Sequence, residues 1–182
     1  MIYRSKNLQL SEEDIKYLYD TYKTEEFRRS SASRRNYYTG YHRHPNSNSR
    51  DSSYSTFHDE KLYKLYAPFV SKSLKEEGLV VDKMILSFRH IWAQIYTKDF
   101  AGGNGVHNHY SDKNTLMSWI HFVDVPVDQD CLFFKIGDEK IYPKEQRSGT
   151  IVFFPAWALH GVDPVETQSD RVVVAGNVNR IL

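Results

Sequence analysis

The chain has 182 residues, 24 Lys+Arg against 23 Asp+Glu, a formal net charge of +1 and a hydrophobic share of 40%. That length suits one domain, residues 1–182, with room for a core, and near-neutrality gives no whole-molecule attraction to nucleic acid or an anionic membrane. One cysteine, Cys131, excludes an intrachain disulfide framework and a multi-thiolate zinc site; with no apolar run of signal-peptide or membrane-spanning length, the expectation is a soluble, cytoplasmic protein.

The first predicted element is a short amphipathic helix. Ser11 stands before Glu12, Glu13 and Asp14 as a capping residue, and Ile15, Leu18 and Tyr22 follow at helical spacing. Residues 28–50 then hold six arginines (Arg28, Arg29, Arg34, Arg35, Arg43, Arg50) and no acid, interleaved with Tyr37, Tyr38 and Tyr41. The stretch has neither a helical nor an alternating apolar period and reads as a long loop. Arginine mixed with aromatics is a composition that grips phosphates and stacks on bases. Arg34, Arg35, Tyr37 and Tyr38 are therefore candidate substrate contacts, and nucleic acid is a candidate partner of this loop alone. A second helix is predicted over about 58–77, with Leu62, Leu65, Phe69 and Leu74 as its apolar stripe, a kink at Pro68 and a stop at Gly78.

Beyond Gly78 the pattern changes to short β-rich runs: LVVDKMILSF, HIWAQIY, LMSWIHFVDV, CLFFKI, GTIVFFP and RVVVAGNV. No helical stretch separates them, which argues against a parallel βαβ sheet. Residues 1–78 read as a helical part and 79–182 as an antiparallel β part, an α+β chain whose strands form a sandwich or barrel.

The chemistry-bearing residues lie in this second part. His107 and His109 are two positions apart after the turn AGGNG, and on an extended chain both rings project from one face. Two neutral imidazoles so placed are two-thirds of a facial metal site. Further on, Gly149-Thr-Ile-Val-Phe-Phe-Pro155-Ala-Trp157-Ala-Leu-His160 runs a hydrophobic strand into a proline turn and delivers one more histidine. His121 falls off the Ser118/Ile120/Phe122 face and reads as structural. His42, His44, His58 and His90 have ordinary loop, helix-start or strand settings.

Taken together, Trp92-Ala-Gln94-Ile-Tyr96, His107-Asn-His109, Ser118 to Val123, Gly149 to Pro164 and Asp170-Arg171 to Asn177 resemble, in order, the Fe(II)/2-oxoglutarate-dependent oxygenases, in a small bacterial and phage-type branch. The resemblance covers just under half the chain. It implies a double-stranded β-helix (a jelly-roll, cupin-like barrel) with the N-terminal helices packed outside. It also implies Fe(II), 2-oxoglutarate as cosubstrate and O2, and hydroxylation of a substrate C–H bond. His107 and His160 would be the two imidazole ligands. Where the superfamily usually has a carboxylate two residues after the first histidine, this chain has His109; the alternative third ligand is Asp112. Arg171 would meet the distal carboxylate of 2-oxoglutarate. The Ser or Thr often found two residues after that arginine is Val173 here. Tyr96, or failing it Ser118, is expected to supply the second contact, and Asn177 to touch the 2-oxo acid or a metal ligand.

Two other functions compete. A cupin-type metalloprotein without 2-oxoglutarate would use the same barrel, although the glutamate of the first cupin motif is missing. A non-catalytic module would grip an anionic partner through the loop at 28–50.

Overall fold

The computed structural model describes residues 2–31, 34–43, 54–56, 59–79, 84–97, 104–110, 114–125, 130–144, 146–164 and 169–181. Its first strand, β1 (Arg4–Asn7), precedes helix α1 (Glu12–Tyr22). Ser11 caps α1 by accepting from the Asp14 amide, and three acids in the first turn face the positive end of the helix dipole. Strands β2 (Arg28–Ser31), β3 (Arg34–Thr39), β4 (Tyr41–Arg43) and β5 (Tyr54–Thr56) come next, then helix α2 (Glu60–Glu76). Asp59 caps α2 through the amides of Lys61 and Leu62 and accepts from the hydroxyls of Tyr17 and Tyr22, so one carboxylate ties the two helices together. The helix runs on through Pro68, which faces solvent, and ends at Gly78, whose φ of 64° is the left-handed conformation that favours glycine.

Eight further strands complete the fold: β6 (Leu86–Tyr96), β7 (Asn104–His107), β8 (Thr115–Asp124), β9 (Leu132–Ile136), β10 (Glu139–Ile141), β11 (Thr150–Pro155), β12 (His160–Val162) and β13 (Arg171–Arg180). Seven strands form a major sheet in the order β1-β11-β8-β13-β6-β3-β2, four form a minor sheet in the order β10-β9-β12-β7, and β4 pairs with β5. All pairings are antiparallel.

Alternation along the major sheet sorts its side chains between two cores. Ile91, Ala93, Ile95, Val172, Val174 and Val178 point outward, where Leu18, Tyr22, Leu62, Tyr66, Val70 and Leu74 of the helices cover them. Trp92, Tyr96, Ile120, Phe122, Val173 and Ala175 point inward, against Leu132, Phe134 and Val162 of the minor sheet. Two buried faces explain why VVVAG reads as an unbroken apolar run. Gly176 interrupts it because the Trp119 ring crosses there: a Cβ would lie 2.5 Å from that ring and 2.8 Å from the His90 carbonyl.

Four expectations need correction. Where described, the arginine–tyrosine segment is not a loop: β3 joins the major sheet by pairing Tyr37, Tyr38 and Thr39 with Tyr96, Ile95 and Gln94. The pairing that recruits β3, and β2 beyond it at the sheet edge, is made by the backbone and needs no apolar alternation, and edge strands tolerate charge. Residues 44–50 of that segment lie outside the described residues. The first 78 residues therefore contribute strands as well as helices. The α2 stripe is centred on Tyr66 and Val70, with Leu65 and Phe69 only partly buried at its margin. The two runs after Gly78 meet in one eleven-residue strand, β6.

Candidate metal and anion site

Strand register brings the histidines together. His160, the first residue of β12, is the antiparallel partner of His107, the last residue of β7. His109 lies just past the end of β7 and is pinned there by its amide, which donates to the Ala156 carbonyl at 2.9 Å; the Ala156 amide donates in turn to Leu116 at 3.0 Å. The Pro155 turn thus holds one ligand strand and delivers the next. Ring centroids are 4.4 Å apart for His107–His160, 5.1 Å for His109–His160 and 5.4 Å for His107–His109. One nitrogen from each falls within 4.8 Å of the others.

The proton positions suit ligation. Nδ1 of His107 lies 2.8 Å from the Gly105 carbonyl, and Nδ1 of His160 lies 2.9 Å from the Ala158 carbonyl. A carbonyl only accepts, so each Nδ1 is the donor and each Nε2 keeps its lone pair for a metal. Burial, and then the neighbouring His107, push the pKa of His109 down to about 4 and that of His160 down to about 3; the Ala158 carbonyl opposes the second shift only in part. Both rings are neutral at pH 7. The donor set therefore fits a divalent cation. Asp112, the alternative ligand, lies outside the described residues.

Arg171 opens β13 and is 3% exposed. It shares the inward face with Val173, Ala175 and Asn177. Its Nε and Nη2 atoms are buried and have no hydrogen-bond partner among the described residues. The preceding Asp170 does not serve it, being paired to Lys23 at 2.5 Å. The guanidinium lies instead over the ring of Tyr96, its register partner, at 5.0 Å from the centroid. A buried cation without a counter-charge costs several kcal/mol, and a carboxylate is the group that satisfies a guanidinium edge in two bonds.

The remaining sequence candidates divide between the two ends of this face. Tyr96 stands beside Arg171 as expected, but it offers its ring there, while its hydroxyl donates to Gln94 Oε1 at 2.9 Å. Ser118, the expected alternative to Tyr96, lies elsewhere: its hydroxyl donates to Asn177 Oδ1 at 2.8 Å. That pair is six positions along β13 from Arg171. It marks the histidine end, because Ser118 is paired with Phe154, whose ring centroid is 4.7 Å from that of His160. Tyr37 stacks on Tyr96 at 6.1 Å, whereas Tyr38, one position on, packs into the helix-covered core. Arg34 and Arg35 lie on β3. His121 is structural, as expected: its Nε2–H donates to the Leu8 carbonyl and its Nδ1 accepts from the Tyr66 hydroxyl, both at 2.7 Å.

Sequence reasoning missed Gln94 as a partner of Tyr96, and missed the stacking of Tyr41 on Trp92 at 4.7 Å, Trp92 itself being expected in the barrel packing. Both lie at even spacing from Tyr96 on β6, so the period of two was the available signal.

No protein-family model matches the sequence, and no curated protein matches it. Solved structures do. The viral collagen prolyl hydroxylase from Paramecium Bursaria Chlorella virus-1, in its 2OG complex, is 14% identical over 100% of this chain and 97% of that one, with a TM-score of 0.64. A 2OG-Fe(II) oxygenase family oxidoreductase from Burkholderia pseudomallei is 9% identical over 97% and 84%, with a TM-score of 0.66. A prolyl hydroxylase from Trichoplax adhaerens, in complex with a hypoxia inducible factor oxygen degradation domain peptide fragment, is 9% identical over 97% and 83%, with a TM-score of 0.64. The chain has the double-stranded β-helix fold of these oxygenases. No described helix is long and apolar enough to cross a membrane.

Proposed function

We propose that the protein is an Fe(II)/2-oxoglutarate-dependent dioxygenase that hydroxylates its substrate. The observation that carries the reading is the presence, on the two facing sheets, of a three-histidine cluster and a buried arginine whose Nε and Nη2 lack partners among the described residues. His107, His109 and His160 would hold the iron, and Arg171 would hold the distal carboxylate. Iron with O2 and the 2-oxo acid supplies the oxidising chemistry, decarboxylating the acid to succinate. The protein's own contribution is positional. The Gly105 and Ala158 carbonyls orient two imidazoles, the Tyr96 ring backs the guanidinium, and the Ser118–Asn177 pair places polar groups at the metal end. Val173, Ala175, Ile120, Phe122 and Trp92 make the wall between the two ends apolar, which keeps water from the reacting centre.

Prolyl peptides are the first substrates to test, since two of the similar structures carry that activity in their names. The test of the reading is anaerobic Fe(II) loading with 2-oxoglutarate. Thermal stabilisation by the 2-oxo acid and succinate release on admitting air are expected. Arg171→Ala should abolish both while metal stays bound. Stoichiometric metal with no response to 2-oxoglutarate would favour the cupin-type alternative, which His109 in the carboxylate position keeps in second place.

A further inference from the structure

The flank of the barrel beside β6 carries a feature that the proposed reaction does not use. Residues 28–43, on β2, β3 and β4, hold five arginines and no acid. Arg28 is paired with Glu25 at 2.8 Å, while Arg29, Arg34 and Arg35 lie on the β2–β3 hairpin, which ends the major sheet beyond β6. On the same side, Tyr37 and Tyr41 are half-buried, and each rests on a buried ring of β6. The Tyr37 ring stacks on Tyr96 at 6.1 Å and 16°, and the Tyr41 ring leans on Trp92 at 4.7 Å and 46°. The backbone fixes both. Tyr37 is the register partner of Tyr96, and the Gly40 amide donates to the Ala93 carbonyl at 3.0 Å. A Cβ on residue 40 would lie 2.7 Å from the Tyr22 ring, so glycine allows this close approach. Rings held in place before a ligand arrives add little ordering cost to its binding. The basic edge is also continuous with the pocket: Arg29, Tyr37, Tyr96 and Arg171 occupy successive partner positions across β2, β3, β6 and β13.

We propose that this flank binds single-stranded nucleic acid, with phosphates on the hairpin arginines and bases against Tyr37 and Tyr41. A guanidinium selects an anion, and a backed tyrosine ring selects a flat apolar face; a nucleic acid strand offers both in every nucleotide. An acidic peptide brings the charge without the rings, and a proline-rich peptide brings rings without the charge. A duplex keeps its base faces stacked inside. The net charge of +1 is no obstacle, because screening over about 10 Å leaves the local arginines to decide. A strand laid along Tyr37 and Tyr41 follows β6 from the Arg171 row towards Ala175 and the histidine end, since Tyr96 pairs with Arg171 and Trp92 with Ala175. That is the course a substrate of the proposed oxygenase needs, and in this respect the inference rests on the proposed function. The binding itself requires neither metal nor 2-oxo acid.

The experiment is fluorescence anisotropy of a labelled oligothymidylate with the full chain, free of metal, between about 50 and 200 mM salt. Three phosphate contacts should make the affinity fall about 20-fold over that range. Arg29→Gln, Arg34→Gln and Arg35→Gln combined should weaken binding and bring the salt effect below ~3-fold, with circular dichroism as the folding control. Tyr37→Leu and Tyr41→Leu should each weaken binding at least ~5-fold with the salt effect unchanged. Tyr37→Phe and Tyr41→Phe should bind as wild type, which separates loss of the ring from a folding defect. No oligothymidylate binding at the lower salt, equal binding of poly-glutamate, or undiminished binding in the arginine variant would overturn the inference. Salt-insensitive binding of a proline-rich peptide in place of the oligonucleotide would overturn it too. None of these outcomes alters stabilisation by Fe(II) and 2-oxoglutarate, which tests the functional reading separately.

Discussion

The two sheets divide the labour unequally. The major sheet has long strands buried on both faces and is buttressed by two helices; it contributes one charged group, Arg171, to the pocket. The minor sheet has strands of three to five residues and contributes two of the histidines outright, with His109 just past its edge. Rigidity and ligation are thus separated. Arg171 stands on the stable scaffold, and the histidines stand on or beside short strands held by register and by the Pro155 turn. Short strands are the part of a fold that opens first unless something fastens them, and three ligands meeting on one ion would fasten β7 to β12.

The largest effect expected from breaking this division is at the metal end. His160→Ala removes the ligand that pairs with His107, and metal affinity should fall at least ~100-fold, measured by Mn(II) titration. Near-native circular dichroism is expected, because the ring lies outside the helix-covered core. Global unfolding of His160→Ala with metal-free wild type folded would show that the minor sheet is part of the scaffold after all.

Acid should weaken the scaffold side through His121. Burial pushes its pKa from 6.5 down to about 4, against a smaller opposing effect of the Leu8 carbonyl. Above pH 6.5 the ring is neutral whether the chain is folded or unfolded, so its contribution is complete. Between pH 6.5 and about 4 only the unfolded chain takes up the proton, and stability falls as pH falls, by about 3 kcal/mol in all. His121→Gln should remove that component of the pH slope in urea denaturation, leaving the part due to His109 and His160. An unchanged slope would mean that His121 is not held neutral.

A smaller and purely steric test is Gly176→Ala. The added carbon meets the Trp119 ring and the His90 backbone carbonyl. Overpacking of this kind costs about 1–3 kcal/mol, read as a lower urea midpoint with Mn(II) affinity unchanged. A shift in metal affinity would show that strain in the major sheet reaches the histidines.

These contrasts also explain what could be read from the sequence. Elements with their own pattern were legible: α1 from Ser11 and its acids, α2 from its apolar period, and β8, β11 and β13 from long apolar runs. Strands such as β7, β10 and β12 have three or four residues and owe their conformation to a neighbour, and β1, at one edge, and β3, next to the edge strand β2, are recruited by backbone pairing. At the site, His107, His109, His160 and Arg171 stood out because their chemistry is uncommon in such surroundings. The relation of Ser118 to Arg171 did not, since it depends on which residues lie opposite across β13. One register step likewise separates Tyr37, on the Tyr96 ring, from Tyr38, in the opposite core.

The tethers of His107 and His160 have one more consequence. Each ring is held by a carbonyl two residues earlier in its own chain, Gly105 for one and Ala158 for the other. The aim of each ligand is therefore written within a tripeptide and asks nothing of distant side chains. Such a unit is portable: provided two antiparallel strands bring the tripeptides abreast, almost everything around them is free to drift. The chain is only 9–14% identical to the solved barrels whose fold it shares.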